Sequence, residues 1–400
     1  MAIDMTTFDP ALKDYYTNDK VEDLVFDKNP LLMLVDNTEG GGRRIPIPVI
    51  FGHAQNVSAN ATTAFAGTSN SSYESFDLTR VKLYNAAEID GETILASGSD
   101  KGAWFKALTA EIDGALSALG RSIAVSMYRS GWGDIGVIGS INSTTITLAT
   151  ASDAHNFEVG MKVVFADSQS SSTLKSATAV SVTAVDRSSG TVTISATTGS
   201  PAANDYIFRE GNRENSATPT RLVMAGLEAW VPASAPSATS FFGVDRSVDS
   251  RLGGLRLDAS SMPIEEALIE AESIVATNGG KLTHFFLNPK RYAELCKSLQ
   301  GKFQYVDVTR GNVSLRAIEV NGQMGAVTVV PDTNCPYNRG FGLDIKTWKT
   351  YTMNGGVAKV LDQDGLKIRA HATKDSYVVR VGFYGNLGCS APGWNINVQF

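Results

Sequence analysis

Cysteine is nearly missing from this chain of 400 residues: Cys296, Cys335 and Cys389 are the only three, odd in number and far apart. They make neither a disulfide framework nor a metal-binding spacing, and they suit a reducing cytoplasm. No apolar run approaches the roughly 20 residues of a membrane-crossing helix. The start, Met1-Ala2-Ile3-Asp4, lacks the basic and apolar regions of a signal peptide. Without secretion, the Asn-x-Ser/Thr triplets at Asn56, Asn60, Asn142 and Asn312 carry no meaning as glycosylation sites. The expectation is a soluble intracellular product with no membrane partner. Runs of Lys or Arg are missing too, and a net charge of −6 leaves no footprint for specific reading of DNA or RNA.

Signatures of catalysis are equally scarce. The chain has no Gly-x-x-x-x-Gly-Lys-Ser/Thr, no Gly-x-Gly-x-x-Gly between strand and helix, no His-Glu-x-x-His and no Gly-x-Ser-x-Gly. His53, His155, His284 and His371 are isolated, none with a second ligand three or four residues away. Asp362-Gln363-Asp364-Gly365 opens like a calcium loop but lacks the later ligands, so it reads as a β-turn. Glu265-Glu266 falls in the first turn of a helix, where carboxylates favour the dipole. Arg43-Arg44, after three glycines, reads as the charged base of a hinge before it reads as a phosphate grip. No catalytic, cofactor-binding or metal-binding residue is assigned, and no enzyme is expected.

What the chain does have is hydrophobic content of 43% against 19% charged, enough to bury cores in two or three domains. Residues 1–36 form an arm too small to bury itself: Lys13 to Phe26 makes a short helix at best, and Asn29-Pro30 breaks it before Leu31-Leu32-Met33-Leu34-Val35. The arm either lies on another part of the protein or a neighbouring subunit, or is an ordinary first helix. A hinge at Gly40-Gly41-Gly42 leads to a strand over Ile45–Phe51, where Pro46 and Pro48 deny it donors on one side and make it an edge. Residues 55–72 are Ala, Asn, Ser and Thr with almost no core former. A second strand returns over Tyr73–Ala87. In it Phe76 and Leu78 share one parity and Val81 and Leu83 the other, the pattern of a bulge or of a ribbon half-buried on each face in turn. Two such strands with a long polar tip make a protruding hairpin that needs a partner.

The strongest periodic signal runs from Asp100 to Ser130. Trp104, Phe105, Leu108, Ile112, Leu116, Leu119, Ile123 and Met127 recur at spacings of three and four, and Gly131-Trp132-Gly133 stops the helix. At 1.5 Å per residue it extends about 45 Å, a spine. Gly114 and Gly120 and the lack of clean heptads argue against a coiled coil. From Asp134 to Gly211 short Thr/Ser/Val-rich strands interrupt the α/β pattern, with a hairpin signal at Asp186-Arg187-Ser188-Ser189-Gly190. They predict a small antiparallel barrel or sandwich of five or six strands, an accessory module before a carbohydrate binder, since only Tyr206 and three Phe supply aromatics. Further on come a helix from Pro263 capped by Ser261, a buried strand Leu282–Leu287, and a second helix Lys290–Leu299 capped at Asn288-Pro289. Strands follow at Ala326–Val330, Thr347–Tyr351, Leu366–His371 and Tyr377–Phe383.

The ordered set resembles the major capsid proteins of tailed double-stranded DNA bacteriophages, with an α+β, HK97-like fold. Asn29-Pro30-Leu31-Leu32 before the hairpin, Lys281–Leu299, and Asp364–Ala370 through Tyr377-Val378-Val379-Arg380 carry the local likeness. The resemblance implies an N-terminal arm (1–38), an extended β-hairpin (39–99) and the spine helix of a peripheral domain (100–133). It further implies a β-rich insertion domain (134–211), an axial domain with connecting strands (212–362) and closing peripheral strands (363–400). It implies a subunit that assembles with itself into hexamers and pentamers of an icosahedral virion shell, built in the host cytoplasm and touching packaged DNA non-specifically. Portal and decoration proteins would be partners. A separate scaffolding protein is implied too, because the arm is too short to be a cleavable scaffold segment, unless the chain is a processed form. Cross-linking of a hairpin Lys to a neighbour's Asn is not expected, because Lys82 lies within the second strand and no assisting acid can be matched. An encapsulin-like shell around cargo protein, of the same fold, is the alternative. A β-rich tail or adhesion protein conflicts with the spine helix.

Overall fold

The spine is a 28-residue helix, Lys101–Tyr128, and Ile112, Leu116, Leu119, Ile123 and Met127 along it are almost wholly buried. The structure is a computed structural model that describes residues 29–67, 70–92, 101–299, 304–310, 313–353, 356–362, 365–366, 368–371 and 373–400. Of 101–108, 304–310, 313–316 and 321 it describes the backbone alone. The expected short helix at 13–26 and the side chains of Trp104, Phe105 and Leu108 lie outside the described residues. The helix ends where Gly131 takes φ +82°, a conformation that costs glycine little.

The apolar stripe of the spine packs on a six-stranded sheet. The centre of that sheet is β20 (Ser376–Cys389), which pairs antiparallel with β4 (Val81–Asp90), β17 (Trp348–Thr352), β18 (Lys359–Val360) and β19 (Ile368–Ala370). A short strand, β1 (Asp36–Glu39), joins the edge parallel to β17. The reversed parity between Leu78 and Val81 has a simple cause: the chain changes sheets at Arg80. Before it, β3 (Ser72–Thr79) pairs with β2 (Arg44–Gly52) in a separate two-stranded ribbon; after it, β4 pairs with β20. Phe76, Leu78, Val81 and Leu83 are all buried. Pro46 and Pro48 stand on β2, whose other edge has no strand beside it among the described residues.

After the spine the chain closes a barrel of six antiparallel strands. In chain order these are β5 (Asp134–Asn142), β6 (Thr145–Leu148), β7 (Lys162–Ala166), β8 (Val180–Asp186), β9 (Thr191–Ile194) and β10 (Tyr206–Arg209), arranged β10-β5-β6-β9-β8-β7 with β10 paired back to β7. Its core holds Ile138, Ile146, Phe157, Phe165, Val182, Val192 and Ile207. Entry and exit touch: a β-carbon on Gly133 would stand 2.9 Å from the carbonyl oxygen of Asn212.

The remaining chain builds a seven-stranded sheet ordered β11-β21-β16-β12-β15-β14-β13. Its strands are β11 (Leu255–Asp258), β12 (His284–Leu287), β13 (Gln304–Arg310), β14 (Val313–Asn321), β15 (Ala326–Pro331), β16 (Arg339–Leu343) and β21 (Ile396–Gln399). One face, with Phe285, Leu287 and Val329, is covered by the helices Ile264–Thr277 and Pro289–Leu299; from the other, Phe286, Val330 and Phe341 join the core under the spine. Two expectations are corrected here. Ser261 does not cap the first of these helices: the N-cap is Pro263, which offers no side-chain hydrogen bond. Residues 363–400 do not stay in one set of strands: β20 belongs to the spine's sheet, but β21 crosses over and pairs with β11 and β16.

Candidate assembly surfaces

The residues that sequence reading tested for chemistry are scattered. Among the described residues no group of three His, Cys, Asp or Glu could hold a metal ion. His155 Nδ1 lies 3.1 Å from the Ser152 carbonyl, His284 Nδ1 3.0 Å from the Thr283 hydroxyl, and His371 Nδ1 3.2 Å from the Thr373 backbone N–H. His53 is exposed beyond the end of β2. Burial pushes the His284 imidazole below its usual range and the Cys389 thiol up to about 12. Cys335 and Cys389 are buried apart, and all three cysteines are free. The Gly365 N–H reaches the Asp362 carbonyl at 2.8 Å, with Gly365 at φ +80°. Arg44 pairs across the ribbon with Asp77 at 3.1 Å, an exposed contact worth little. Lys82 is exposed on β4 opposite Tyr384.

The ribbon is where the fold spends apolar surface on solvent. Its inner half is core: Ile47, Val49, Phe76 and Leu78 are buried. Its outer half shows Ile50 and Tyr73 to water, and the tip continues with Val57, 98% exposed, and Phe65, 82% exposed. The tip is more ordered than its composition suggests. Asn60 caps a short helix, Ala61–Ala66, by accepting from the Thr62 N–H at 2.9 Å, and no residue of that helix is buried. These exposed apolar side chains on an ordered segment make the ribbon a candidate contact surface.

The described part of the arm does the opposite. Pro30–Leu34 is a short helix whose Leu31 and Leu32 are buried in the chain's own main core, with Met33 buried as well. Asp332, at the end of β15, receives the Leu31 N–H at 3.5 Å, the Tyr128 hydroxyl at 2.7 Å and the Asn334 N–H at 2.8 Å. Burial outweighs these donors and holds the Asp332 carboxyl above its ordinary value. Of the alternatives open for this segment, residues 29–39 take the one on the same chain.

A charged joint fixes the barrel to the spine. Arg129, one residue past the helix, reaches Asp153 at 2.7 Å and Asp134 at 3.9 Å, with all three side chains buried. About two turns earlier Arg121 contacts both Glu158 and the His155 carbonyl, and Arg187 adds to Glu158 at 3.2 Å. Burial, opposed by Arg129, raises the Asp153 carboxyl. Asp153 lies in the first turn of the short 3-10 helix Ala151–Asn156, and Glu158 follows its end. A lone Arg after a helix and a lone Asp in a loop give no periodic signal, so this joint was invisible in the sequence.

No protein-family model and no curated protein matches the chain. Solved structures do. A chain of the cyanophage A-1(L) capsid asymmetric unit is 12% identical, with 92% of each chain covered and a TM-score of 0.52. A chain from Mycobacterium phage Ogopogo is 9% identical over 93% of this chain and 92% of its own, at a TM-score of 0.44. The holo-SrpI encapsulin complex of Synechococcus elongatus is 9% identical over 100% and 96%, at 0.43. Of these three, the first is close enough to establish a common fold: this chain is an α+β protein with the fold of a chain of the cyanophage capsid.

Proposed function

We propose that this chain is the major capsid protein of a tailed double-stranded DNA phage, with an HK97-like fold, a structural subunit and not an enzyme. The observation that carries the reading is the fold held in common with the cyanophage capsid chain over 92% of both. The exposed ribbon, with its apolar tip, supports a role in self-assembly. The spine and its sheet are the peripheral domain. The seven-stranded sheet with its two helices is the axial domain, extended by β21. The barrel is an insertion, and the ribbon reaches over a neighbouring subunit. The subunits form hexamers and pentamers of a virion shell assembled in the host cytoplasm. A scaffolding protein, a portal and decoration proteins are further partners, and packaged DNA is met without sequence reading. Electron microscopy of particles from cells expressing the chain tests this directly. Closed icosahedral shells are the expected outcome, and a protein that stays monomeric at high concentration would sink the reading. Protein cargo enclosed in place of DNA, in the native source, would turn it into the encapsulin-like alternative.

A further inference from the structure

The sheet under the spine has a second face. Val81, Leu83, Ala87 and Ile89 of β4 and Val379, Val381 and Phe383 of β20 are buried in the core they share with the spine. Alternate residues of a strand point to the opposite face. There Lys82, Tyr84, Ala86 and Arg380 are exposed, and Tyr384 is half-buried. Register gathers them: Lys82 stands opposite Tyr384, Ala86 opposite Arg380, and Arg369 of β19 opposite Val378. Between them opens a cleft of about 650 Å³ whose lining includes Tyr84, Leu361, Arg369, Arg380 and Tyr384. The two tyrosine rings meet edge to face at 5.7 Å, and the Arg369 guanidinium reaches the Leu361 carbonyl at 3.3 Å. Lys82 and Arg380 have no ion pair or side-chain hydrogen bond among the described residues. No acid is in the described lining, and Glu88, further along β4, is taken up by the Ser376 hydroxyl at 2.6 Å and by Lys374. The cations come from separate strands, so the sequence shows no basic run.

A basic cleft with aromatic walls fits an acidic segment that also carries rings. Residues 1–28 hold seven acids against three lysines, together with Phe8, Tyr15, Tyr16 and Phe26. They precede a fixed point at the end of the spine. Asn29 accepts from Asn334 Nδ2 at 3.2 Å, and the Leu31 N–H reaches Asp332 beside Tyr128. The cleft lies further up the spine, where Asn85 of β4 donates to the Ala115 carbonyl at 3.0 Å. That point is about 20 Å from Tyr128 along the helix, and the cleft is on the sheet's other face. An extended chain of 28 residues spans roughly 90 Å, enough to leave its own subunit and reach the next.

We propose that residues 1–28 of one copy dock in the Tyr84/Arg369/Arg380/Tyr384 cleft of a neighbouring copy. The inference rests on the capsid reading above and names one contact between its subunits. Carboxylates of the segment meet Lys82, Arg369 and Arg380, and its rings lie against Tyr84 and Tyr384. In a shell every cleft has a neighbour's segment within reach, so individually weak contacts act at high effective concentration.

The first test is zero-length coupling of amines to carboxylates in shells assembled from a mixture of isotopically light and heavy full-length chain. Lys82 should couple to acids of residues 1–28, and mass spectrometry should find links that join a light chain to a heavy one. Links confined to single chains, or none from that segment, would overturn the inference and leave the capsid reading standing. The second test is Lys82→Glu with Arg380→Glu, which should keep the circular dichroism of the folded chain. Assembly, read by sedimentation, should fall at least about tenfold, on the order of what facing like charges cost. Adding Asp19→Lys, Glu22→Lys and Asp23→Lys restores opposite charges and should recover assembly. A double variant that assembles normally would overturn the inference, and so would a fivefold variant as defective as the double. Shells of normal yield that hold less nucleic acid would assign the cleft to nucleic acid instead. Failure of the unmodified chain to form capsomers or shells would bring down the capsid reading itself, and this contact with it.

Discussion

The phenol of Tyr128, last residue of the spine helix, donates a 2.7 Å hydrogen bond to the carboxylate of Asp332, at the end of a strand in the other sheet. The same carboxylate oxygen receives the Leu31 N–H, so three distant segments meet on one buried anion. Burial, reinforced by Asp332, raises Tyr128 well above its ordinary 10.0. Tyr128→Phe should cost about 1.5–3 kcal/mol, the range for a hydrogen bond to a charged acceptor. The sign of the pH effect follows from linkage. Above pH 10 the unfolded chain loses the phenol proton while the folded chain keeps it, so stability falls as pH rises. Urea midpoints between pH 9 and about 11 should fall less steeply in the Phe variant. An unchanged slope would mean that burial and Asp332 do not hold the phenol protonated in the folded chain.

Leu116 and Ile112 lie at the bottom of the spine's buried stripe, at 0% and 1% exposure. Leu116→Asp or Ile112→Asp places an unpaired charge there, at a cost of several kcal/mol, comparable with the stability of a whole domain. Neither variant should yield soluble, assembly-competent subunit. Normal particles from either, seen by sedimentation, would contradict the packing.

Those two residues also show what sequence can carry. The spacing of Ile112, Leu116, Leu119, Ile123 and Met127 encodes a helix face regardless of what covers it, and the structure buries that face. The barrel's strands were legible for a similar reason, since alternating Thr145-Ile146-Thr147-Leu148 puts Ile146 and Leu148 inside. Parity at Arg80 gave a warning but not its cause, because a bulge and a change of sheet produce the same switch. β16 was missed because Arg339-Gly340-Phe341-Gly342-Leu343 has glycines where β-formers are expected. A β-carbon on Gly340 or Gly342 would stand 2.9 or 3.1 Å from a ring carbon of Phe285, inside ordinary contact, so the sheet needs them small. β21 is four residues long, and in β14 the alternation of Val313, Leu315 and Ala317 with polar residues breaks at Ile318. The contacts of Asp332 and Arg129 depend on distant partners, which local pattern does not encode.

Arg129 is the cation between two buried carboxylates. Arg129→Met would leave Asp153 and Asp134 without it, and breaking a buried pair from one side costs about 3–5 kcal/mol. Asp153 is already raised by burial, and removal of the cation raises it further. A raised acid takes its proton in the folded state first, so the variant's deficit should shrink as pH falls towards the ordinary carboxylate value of 3.8. Thermal melts of both proteins at pH 7 and near pH 5 give the comparison. A deficit that stays constant or grows on acidification would rule the carboxylates out as its source.

Val57 and Phe65 have no packing to lose within the subunit. Val57→Ser with Phe65→Ser should therefore change monomer stability by no more than about 0.5 kcal/mol, the range for exposed positions. Assembly should weaken, because the tip's apolar contacts are intermolecular in the proposed reading. Replacing residues 55–70 with a short Gly/Ser link should weaken it further while the circular dichroism stays that of a folded chain. Full-sized, equally stable shells from both variants would show that the ribbon tip makes no contact that matters.

The barrel offers the sharpest test of modularity, because its two ends already touch at Gly133 and Asn212. Its core is made of its own strands, so residues 134–211 expressed alone should give a β-type spectrum with dispersed resonances. Simple excision would mislead, however. The joint reaches out of the barrel, and a host lacking Asp134 and Asp153 leaves Arg129 without its two salt-bridge partners. The informative host therefore carries a short linker in place of 134–211 together with Arg129→Gln, which removes the orphaned charge. That host should retain the helical signal of the spine, whereas the same excision with Arg129 intact should be less stable by a margin that urea melts can resolve. Equal stability of the two hosts would remove the charged joint from the account. Collapse of both, together with an unfolded fragment, would make the barrel part of the main core.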